Sequence, residues 1–327
     1  MKTNQKYKKI LITGMQGALA KITAEILLKY IPNLHIVGID TREITGFEHR
    51  TEFTLIHAQY SRQDFEKVFR EHKFDALLHL GRLASAALNS KSGVKADINL
   101  IGTNTLLELA HRFKLKKIVI LSSHHVYGAL PDLPLFLPEN FPLRANFKFS
   151  ELRDIVEMDQ ICANWMWKNK SQLETLVLRP AHIVGPQINN AISSYLKSPY
   201  ALSPMDFNPQ LQFIHEYDMG HMIALGLISI GTGIYNIAPK EVISLKDAIE
   251  IVKIPKMPFP FFTLKGFSQL NSMIWPFPQY LIDYLKYSTV IDGSHFEREL
   301  RKSMFDQNLV EPLYRFNIED CLNFIRP

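Results

Sequence analysis

Six short apolar runs punctuate the first 180 positions: KILIT (9–13), HIVGID (35–40), FTLIH (53–57), DALLHL (75–80), KIVILS (117–122) and TLVLRP (175–180). Each predicts a β-strand, and near-continuous apolar character rather than alternation predicts strands covered on both faces. Amphipathic stretches lie between them, notably ALAKITAEILLKY (18–30), DINLIGTNTLLELAHRF (97–113) and ELRDIVEMDQICANWMWK (151–168). Strand alternating with helix predicts an α/β fold built on a doubly wound parallel sheet. The alternation loosens after residue 180. The stretch PKMPFPFFTLKGFSQLNSMIWPFPQYLIDYLKY (255–287) is rich in proline and aromatics and has no clean period. It reads as the packed interior of a smaller lobe, or alternatively as an apolar wall, lid or membrane-touching patch.

Composition narrows the class. With 46% hydrophobic and 21% charged residues, the chain has the make-up of a soluble globular protein. The net charge of +5 comes from dispersed basic residues, which can help hold an anionic ligand but do not predict a nucleic-acid surface. Two cysteines, Cys162 and Cys321, make no disulfide framework and fit a reducing compartment. The apolar start ends at Thr13 and reads as a strand rather than a signal peptide. The run MIALGLISIGTGIYNIA (222–238) is interrupted by Gly226, Gly231 and Gly233, so no transmembrane segment is expected and the location is read as cytoplasmic. The twelve histidines show no spacing with cysteines or carboxylates that would predict a metal site.

The most informative short stretch is LITGMQGALA (11–20). A strand runs into Gly14-Met15-Gln16-Gly17 and then a helix opening at Ala18. Glycines there allow a tight turn and let backbone N–H groups approach a pyrophosphate at the helix N-terminus. Asp40 closes the second strand, where a carboxylate bonds a ribose 2′-hydroxyl and repels a 2′-phosphate, favouring NAD over NADP. Arg42 nearby keeps NADP open.

At these residues the chain resembles the extended short-chain dehydrogenase/reductase family, which contains nucleotide-sugar epimerases and dehydratases. The glycine turn spans Thr13 to Ala20, and DALLHLG (75–81) is similar to the family's fourth strand, with Gly81 where alanine is usual. NLIGTNTLLELA (99–110), ILSSHHVYG (120–128), LRPAHIVGP (178–186), FIHEYDMGHMIALGL (213–227) and GIYNIAPKEVISLKDAIEI (233–251) continue the likeness nearly end to end. Gln59-Tyr60 departs from the usual acidic and aliphatic pair beside the adenine. The resemblance implies a Rossmann-type NAD-binding domain over 1–180, to which 213–240 returns, and a substrate-binding lobe from 181–212 and 241–327. It also implies cofactor contacts from Gly14, Met15, Gln16, Gly17, Ala18, Asp40, Arg42, Gln59, Tyr60, Leu80, Gly81, Asn99, Arg153 and Pro180. Finally, it implies a homodimer joined through the helices at 97–113 and 151–168, although the broad apolar face of 151–168 also fits deep core packing.

The chemistry is where the pattern breaks. The resemblance puts the catalytic serine at Ser123. Anchoring on Glu157, it puts the proton-donating tyrosine at Phe149 and its partner lysine at Arg153. Tyrosine is absent between Tyr127 and Tyr195, so no register slip restores it. A general acid or base is worth roughly 10²–10⁴ in rate. Arginine stays charged, and its fork is expected to bond the ribose. His124 and His125 stand in seats where the related dehydratases carry an acidic proton-transferring pair, and an imidazole titrates near neutrality. They read either as the replacement proton carrier or as local packing. His182 reads as a substrate contact or an ordinary loop residue. The expectation is an NAD-dependent epimerase/dehydratase-like oxidoreductase exchanging a hydride with a hydroxyl/keto carbon of a nucleotide-sugar or similar substrate. The competing expectation is a catalytically silent NAD-binding sensor or scaffold.

Overall fold

The computed structural model describes residues 6–81, 92–263, 275–307 and 313–325. Its centre is a seven-stranded, wholly parallel sheet. The strands are β1 (Lys9–Thr13), β2 (His35–Asp40), β3 (Phe53–His57), β4 (Ala76–His79), β5 (Lys117–Leu121), β6 (Glu174–Pro180) and, later in the chain, β11 (Gly233–Ile237). Their order across the sheet is β11-β6-β5-β4-β1-β2-β3. The inner strands are nearly continuous buried segments, with β4 buried at every residue and β1 at all but its first, whereas the edge strand β3 is buried only at Phe53.

Helices cover both faces. On one side α1 (Ala18–Tyr30) packs against α7 (Glu216–Ser229), with Leu19, Ala24 and Leu27 meeting Met219, Ile223 and Leu227 in one core layer. On the other side α2 (Arg62–Glu71), α3 (Ser92–Arg112) and α5 (Arg153–Asn169) enclose a second layer containing Phe65, Leu106, Ile118, Val156 and Cys162. The apolar width of α5 is mostly spent inside the chain: Ile155, Val156, Met158, Cys162 and Met166 are buried, whereas Trp167 is 69% exposed. The glycine-broken stretch at 222–238 divides into α7 and β11. Among the described residues no helix is long and apolar enough to cross a membrane.

The ammonium of Lys117, only 1% exposed, ends α7 by donating to the carbonyls of Gly226 at 2.7 Å, Leu227 at 3.0 Å and Ile230. A cation at a helix C-terminus satisfies carbonyls that have no intrahelical partner.

The remaining chain forms small paired strands. Strand β7 (His182–Val184) lies parallel to β10 (Phe213–His215), β8 (Ala201–Pro204) to β13 (Lys256–Phe259), and β9 (Gln210–Leu211) pairs antiparallel with β12 (Ile243–Ser244). The aromatic segment is packed rather than displayed where it is described. Trp275 is 2% exposed and clusters with Tyr195 and Phe277, Phe261 is buried against Phe207, and Tyr284 is buried in a short helix, Tyr280–Tyr284. Phe262 is an exception at 77% exposed, and residues 264–274 of that segment lie outside the described residues.

Candidate active site

The sheet order reverses between β1 and β4: the chain proceeds outward from β1 to β2 and β3, then starts again at β4 toward the other edge. In doubly wound sheets the crevice at such a switch point, beyond the strand C-termini, is where ligands sit. The glycine turn follows β1 and Leu80-Gly81 follows β4, so both line that crevice.

The turn is built so closely that only glycine fits. Gly14 has φ +73°, and a Cβ on it would stand 2.3 Å from Gly81 Cα. Gly17 N–H closes the turn onto the Gly14 carbonyl at 2.9 Å, and no side chain caps the N-terminus of α1 at Ala18. That leaves a bare helix N-terminus suited to a pyrophosphate. Met15 turns its side chain into the core over Gly38, so only its backbone faces the crevice. Gln16 donates its backbone N–H to Asp40 Oδ2 at 3.0 Å, and its side chain braces Thr45. Asp40 is 3% exposed, and Arg42 holds it through both Nε, at 3.1 Å, and a second nitrogen at 3.2 Å. The carboxylate expected to meet a ribose is thus already neutralised by the residue that kept NADP open.

Two departures noted separately in the sequence prove to be one. Tyr60 lies between Gly81 and Gly102, and its hydroxyl reaches Thr13 and the backbone of Gly14. A Cβ at position 81 would fall 2.1 Å from that hydroxyl. The phenol therefore occupies room that alanine would take, and burial pushes its pKa up to about 12. Beneath it, Thr13 pairs in register with His79. Thr13 Oγ1 is 2.8 Å from His79 Nδ1, and His79 Nε2 is 3.0 Å from Thr103 Oγ1. Burial lowers the His79 pKa to about 4. Gln59 sits at the rim with its backbone N–H on Asp64. Leu80 is half-buried. Asn99 directs its amide to Asp154 at 3.1 Å, tying α3 to α5.

At the C-terminal end of β5 the chain enters a single 3₁₀ turn, His124–Tyr127, capped by Ser123. Ser123 Oγ is 3.0 Å from His125 Nδ1 and accepts the His125 backbone N–H at 3.2 Å. The neighbouring His124 is turned inward at 1% exposure, with Nδ1 donating to the Pro180 carbonyl at 2.9 Å. Burial lowers its pKa to about 4. His182 is 3% exposed and packs edge-on to His124, with ring centroids 4.4 Å apart. The three imidazoles of His124, His125 and His182 each bring a ring nitrogen within 4.8 Å of the others. The sequence reading found no ligand cluster because these residues come from the ends of two different strands, and only the sheet brings them together.

Phe149 and Arg153, the positions expected to hold the degenerate pair, lie differently from each other. Phe149 is 6% exposed and faces Tyr284, whose hydroxyl donates to the His125 carbonyl at 3.0 Å. Arg153 does not turn inward: its side chain is 70% exposed, and Nε donates to Glu157 at 2.5 Å, one helical turn on. The expected fork on the ribose is therefore spent on a surface ion pair. The smaller lobe is latched over this spot. Lys148 Nζ meets Asp283 at 2.7 Å, and Glu151 accepts the backbone N–H of Tyr280 at 2.9 Å. A cleft of about 350 Å³ remains beside it, lined by Phe149, Glu151, Gln279 and Tyr280. Sequence reasoning missed Tyr280 and Tyr284 as site residues. Their four-residue spacing at the end of an aromatic-rich segment was the available signal.

Under the site lies a dense buried network. Asp159 accepts from Arg179 through two nitrogens, at 2.9 and 2.6 Å, and from Ser122 Oγ at 2.5 Å. Arg179 also reaches Tyr127 Oη at 2.9 Å, which in turn donates to Asn236.

Comparisons with known proteins identify the family and the fold. Residues 10–238 match the model of the NAD dependent epimerase/dehydratase family, and the chain belongs to that family. It is similar to an uncharacterised protein of Mycobacterium tuberculosis, 22% identical over 301 residues, 90% of this chain and 79% of the relative. A UDP-glucose 4-epimerase of Pisum sativum is 32% identical over 151 residues, 42% of each chain. The fold is shared with a crystal structure of dTDP-glucose 4,6-dehydratase from Bacillus anthracis in complex with NAD. That likeness has a TM-score of 0.71 at 18% identity and covers 97% of this chain and 95% of the other.

Proposed function

We propose that the chain is an NAD-dependent oxidoreductase of the epimerase/dehydratase type, acting at a hydroxyl/keto carbon of a nucleotide-sugar or a similar substrate. The observation that carries the reading is the Ser123–His125 pair, 3.0 Å apart at the end of β5. Bound NAD would supply a hydride acceptor and donor, and the residues suited to hold it are Gly14 to Ala18 and Asp40. Ser123 would hold the substrate oxygen by its hydroxyl. His125, half-buried beside it, would carry the proton that the missing phenol cannot. His124 is less suited to that work, because its Nδ1 is committed to Pro180 and its pKa is lowered to about 4 by burial. In this division 1–180 with 213–240 holds the cofactor, while 181–212 and 241–327 shape the substrate side. The protein would work in the cytoplasm as a homodimer, for which the exposed Ile101 and Trp167 on α3 and α5 are the candidate face.

A second reading, a silent NAD-binding sensor or scaffold, has its own support in Tyr284 packed against Phe149 and in the outward Arg153. One experiment separates the two. NAD and NADP are titrated by calorimetry, and the protein is screened for NAD-dependent turnover of nucleotide-sugars. Tighter NAD binding is expected, with turnover falling on the order of 10²-fold in His125→Ala and NAD affinity retained. Binding without turnover on any substrate favours the silent reading. Turnover unchanged in His125→Ala rejects this proton carrier.

A further inference from the structure

In the three-histidine cluster, two ring nitrogens are buried and unpaired among the described residues. His124 Nδ1 faces a carbonyl, which can only accept, so this ring carries its proton on Nδ1 and presents Nε2 as a lone pair. That Nε2 is buried and has no hydrogen-bond partner among the described residues. The same holds for His182 Nδ1. Leaving a buried polar atom unpaired is unfavourable, and here two such atoms belong to rings whose centroids are 4.4 Å apart. His125 brings a third ring nitrogen within 4.8 Å of both.

We propose that His124, His125 and His182 form a binding site for a first-row transition-metal cation of the Zn²⁺ class. Three imidazole nitrogens suit such an ion and not the oxygen-seeking Mg²⁺ or Ca²⁺. Ligation would satisfy the lone pair on His124 and use the Pro180 carbonyl as the outer-shell acceptor that fixes its ring. With Zn–N bonds of about 2.0–2.1 Å, tetrahedral ligand atoms stand about 3.4 Å apart. The ring nitrogens, within 4.8 Å of one another, must therefore draw in by up to about 1.4 Å. Two of the rings are almost fully enclosed, so the fourth position opens on the side of half-buried His125, toward the Tyr280 edge. The inference does not rest on the functional reading. A bound cation and an imidazole proton carrier are alternative uses of His125, and metal binding is measured without substrate.

The test uses the full chain, stripped with a chelator and titrated with Co²⁺ alone while the visible d–d absorption of the ion is followed, then displaced with Zn²⁺. A single ion per chain with an intense tetrahedral-type spectrum is expected. His182→Phe and His124→Phe should each weaken binding by on the order of 100-fold, at least the loss typical of an outer-shell partner. A cobalt spectrum that stays that of the aqua ion overturns the proposal, and so does equal retention by both variants. Should either variant fail to fold, X-ray absorption at the zinc edge of the wild-type protein decides. Scattering from three imidazoles supports the site, and an oxygen-dominated shell refutes it.

Discussion

The two ends of the switch-point crevice follow different rules. At the glycine turn the requirement is for backbone shape, and the chain keeps it while changing side chains around it. Tyr60 arrives where an aliphatic residue is usual, and Gly81 makes room for its hydroxyl. At the β5 end the proposed function requires proton chemistry, and there the group that the family resemblance leads one to expect is absent. Phe149 and Arg153, expected in the seats of the tyrosine and lysine, are one packed inward and the other paired on the surface. Imidazoles and lobe tyrosines fill the neighbourhood. At the turn, shape is kept by compensation within a few ångströms; at the β5 end, the proposed chemistry draws on residues that different strands bring together.

The largest expected effect probes the support beneath the chemical end. Asp159→Ala leaves the Arg179 guanidinium buried without its carboxylate, and should cost about 3–5 kcal/mol of stability in chemical denaturation. A loss below about 1 kcal/mol would mean that the network relaxes and the chemical end is not rigidly mounted.

Next comes the cradle. Gly81→Ala should destabilise by roughly 1–3 kcal/mol, because its methyl meets both Tyr60 Oη and Gly14 Cα. Adding Tyr60→Phe should restore part of that loss, since one of the two clashes disappears. Purely additive losses in the double variant would break the claim that the two departures are coupled.

His79 supplies the pH arm. Its unfolded imidazole titrates near 6.5 and its folded one near 4, so the unfolded chain takes up the proton first as pH falls. The contribution is intact above pH 6.5 and drains between 6.5 and 4, amounting to about 2 kcal/mol by pH 4.5. Comparing wild type with His79→Gln across that window should show the variant's stability falling less steeply. Parallel curves would mean that the buried imidazole accepts a proton without penalty.

The smallest effect is expected at the vacated seats. Phe149→Tyr combined with Arg153→Lys should change NAD affinity by no more than a few-fold, because the present Arg153 is committed to Glu157. A large gain would show that the two positions still belong to the cofactor site.

Much of the architecture was legible beforehand, for reasons the residues explain. The runs at 9–13, 35–40 and 53–57 are strands over those same residues, and 18–30 is a helix end to end, because unbroken apolar runs and a glycine-led start leave little ambiguity. Helix α5 begins at Arg153 rather than 151, since a 3₁₀ turn at Ser150–Leu152 intervenes. The site was legible only as far as linear motifs carry. Gly14, Asp40 and Ser123 are recognisable by their neighbours in the chain. The meeting of His182 with His124, or of Tyr284 with Phe149, depends on the sheet order and the folding-back of a lobe more than a hundred residues away. The direction of Arg153 was hidden for another reason. A helix offers an arginine an acidic partner one turn on, and that local pair competes with any ligand.

Lys117 carries a consequence for how the chain is made. Its ammonium leaves the ribosome on β5, yet its acceptors on Gly226, Leu227 and Ile230 follow more than a hundred residues later. Glu174, at the start of β6, offers a counter-charge 3.7 Å away, but until the three carbonyls emerge the buried ammonium lacks its hydrogen-bond acceptors and the strand carrying it is sealed only at a penalty. Strand β11 begins at Gly233, immediately beyond those acceptors, so the same event completes the edge of the sheet. The first six strands therefore complete their packing only when the end of α7 arrives. A chain truncated before Ile230 is expected to be captured by chaperones or proteases more readily than the full chain, because this lysine then lacks its acceptors.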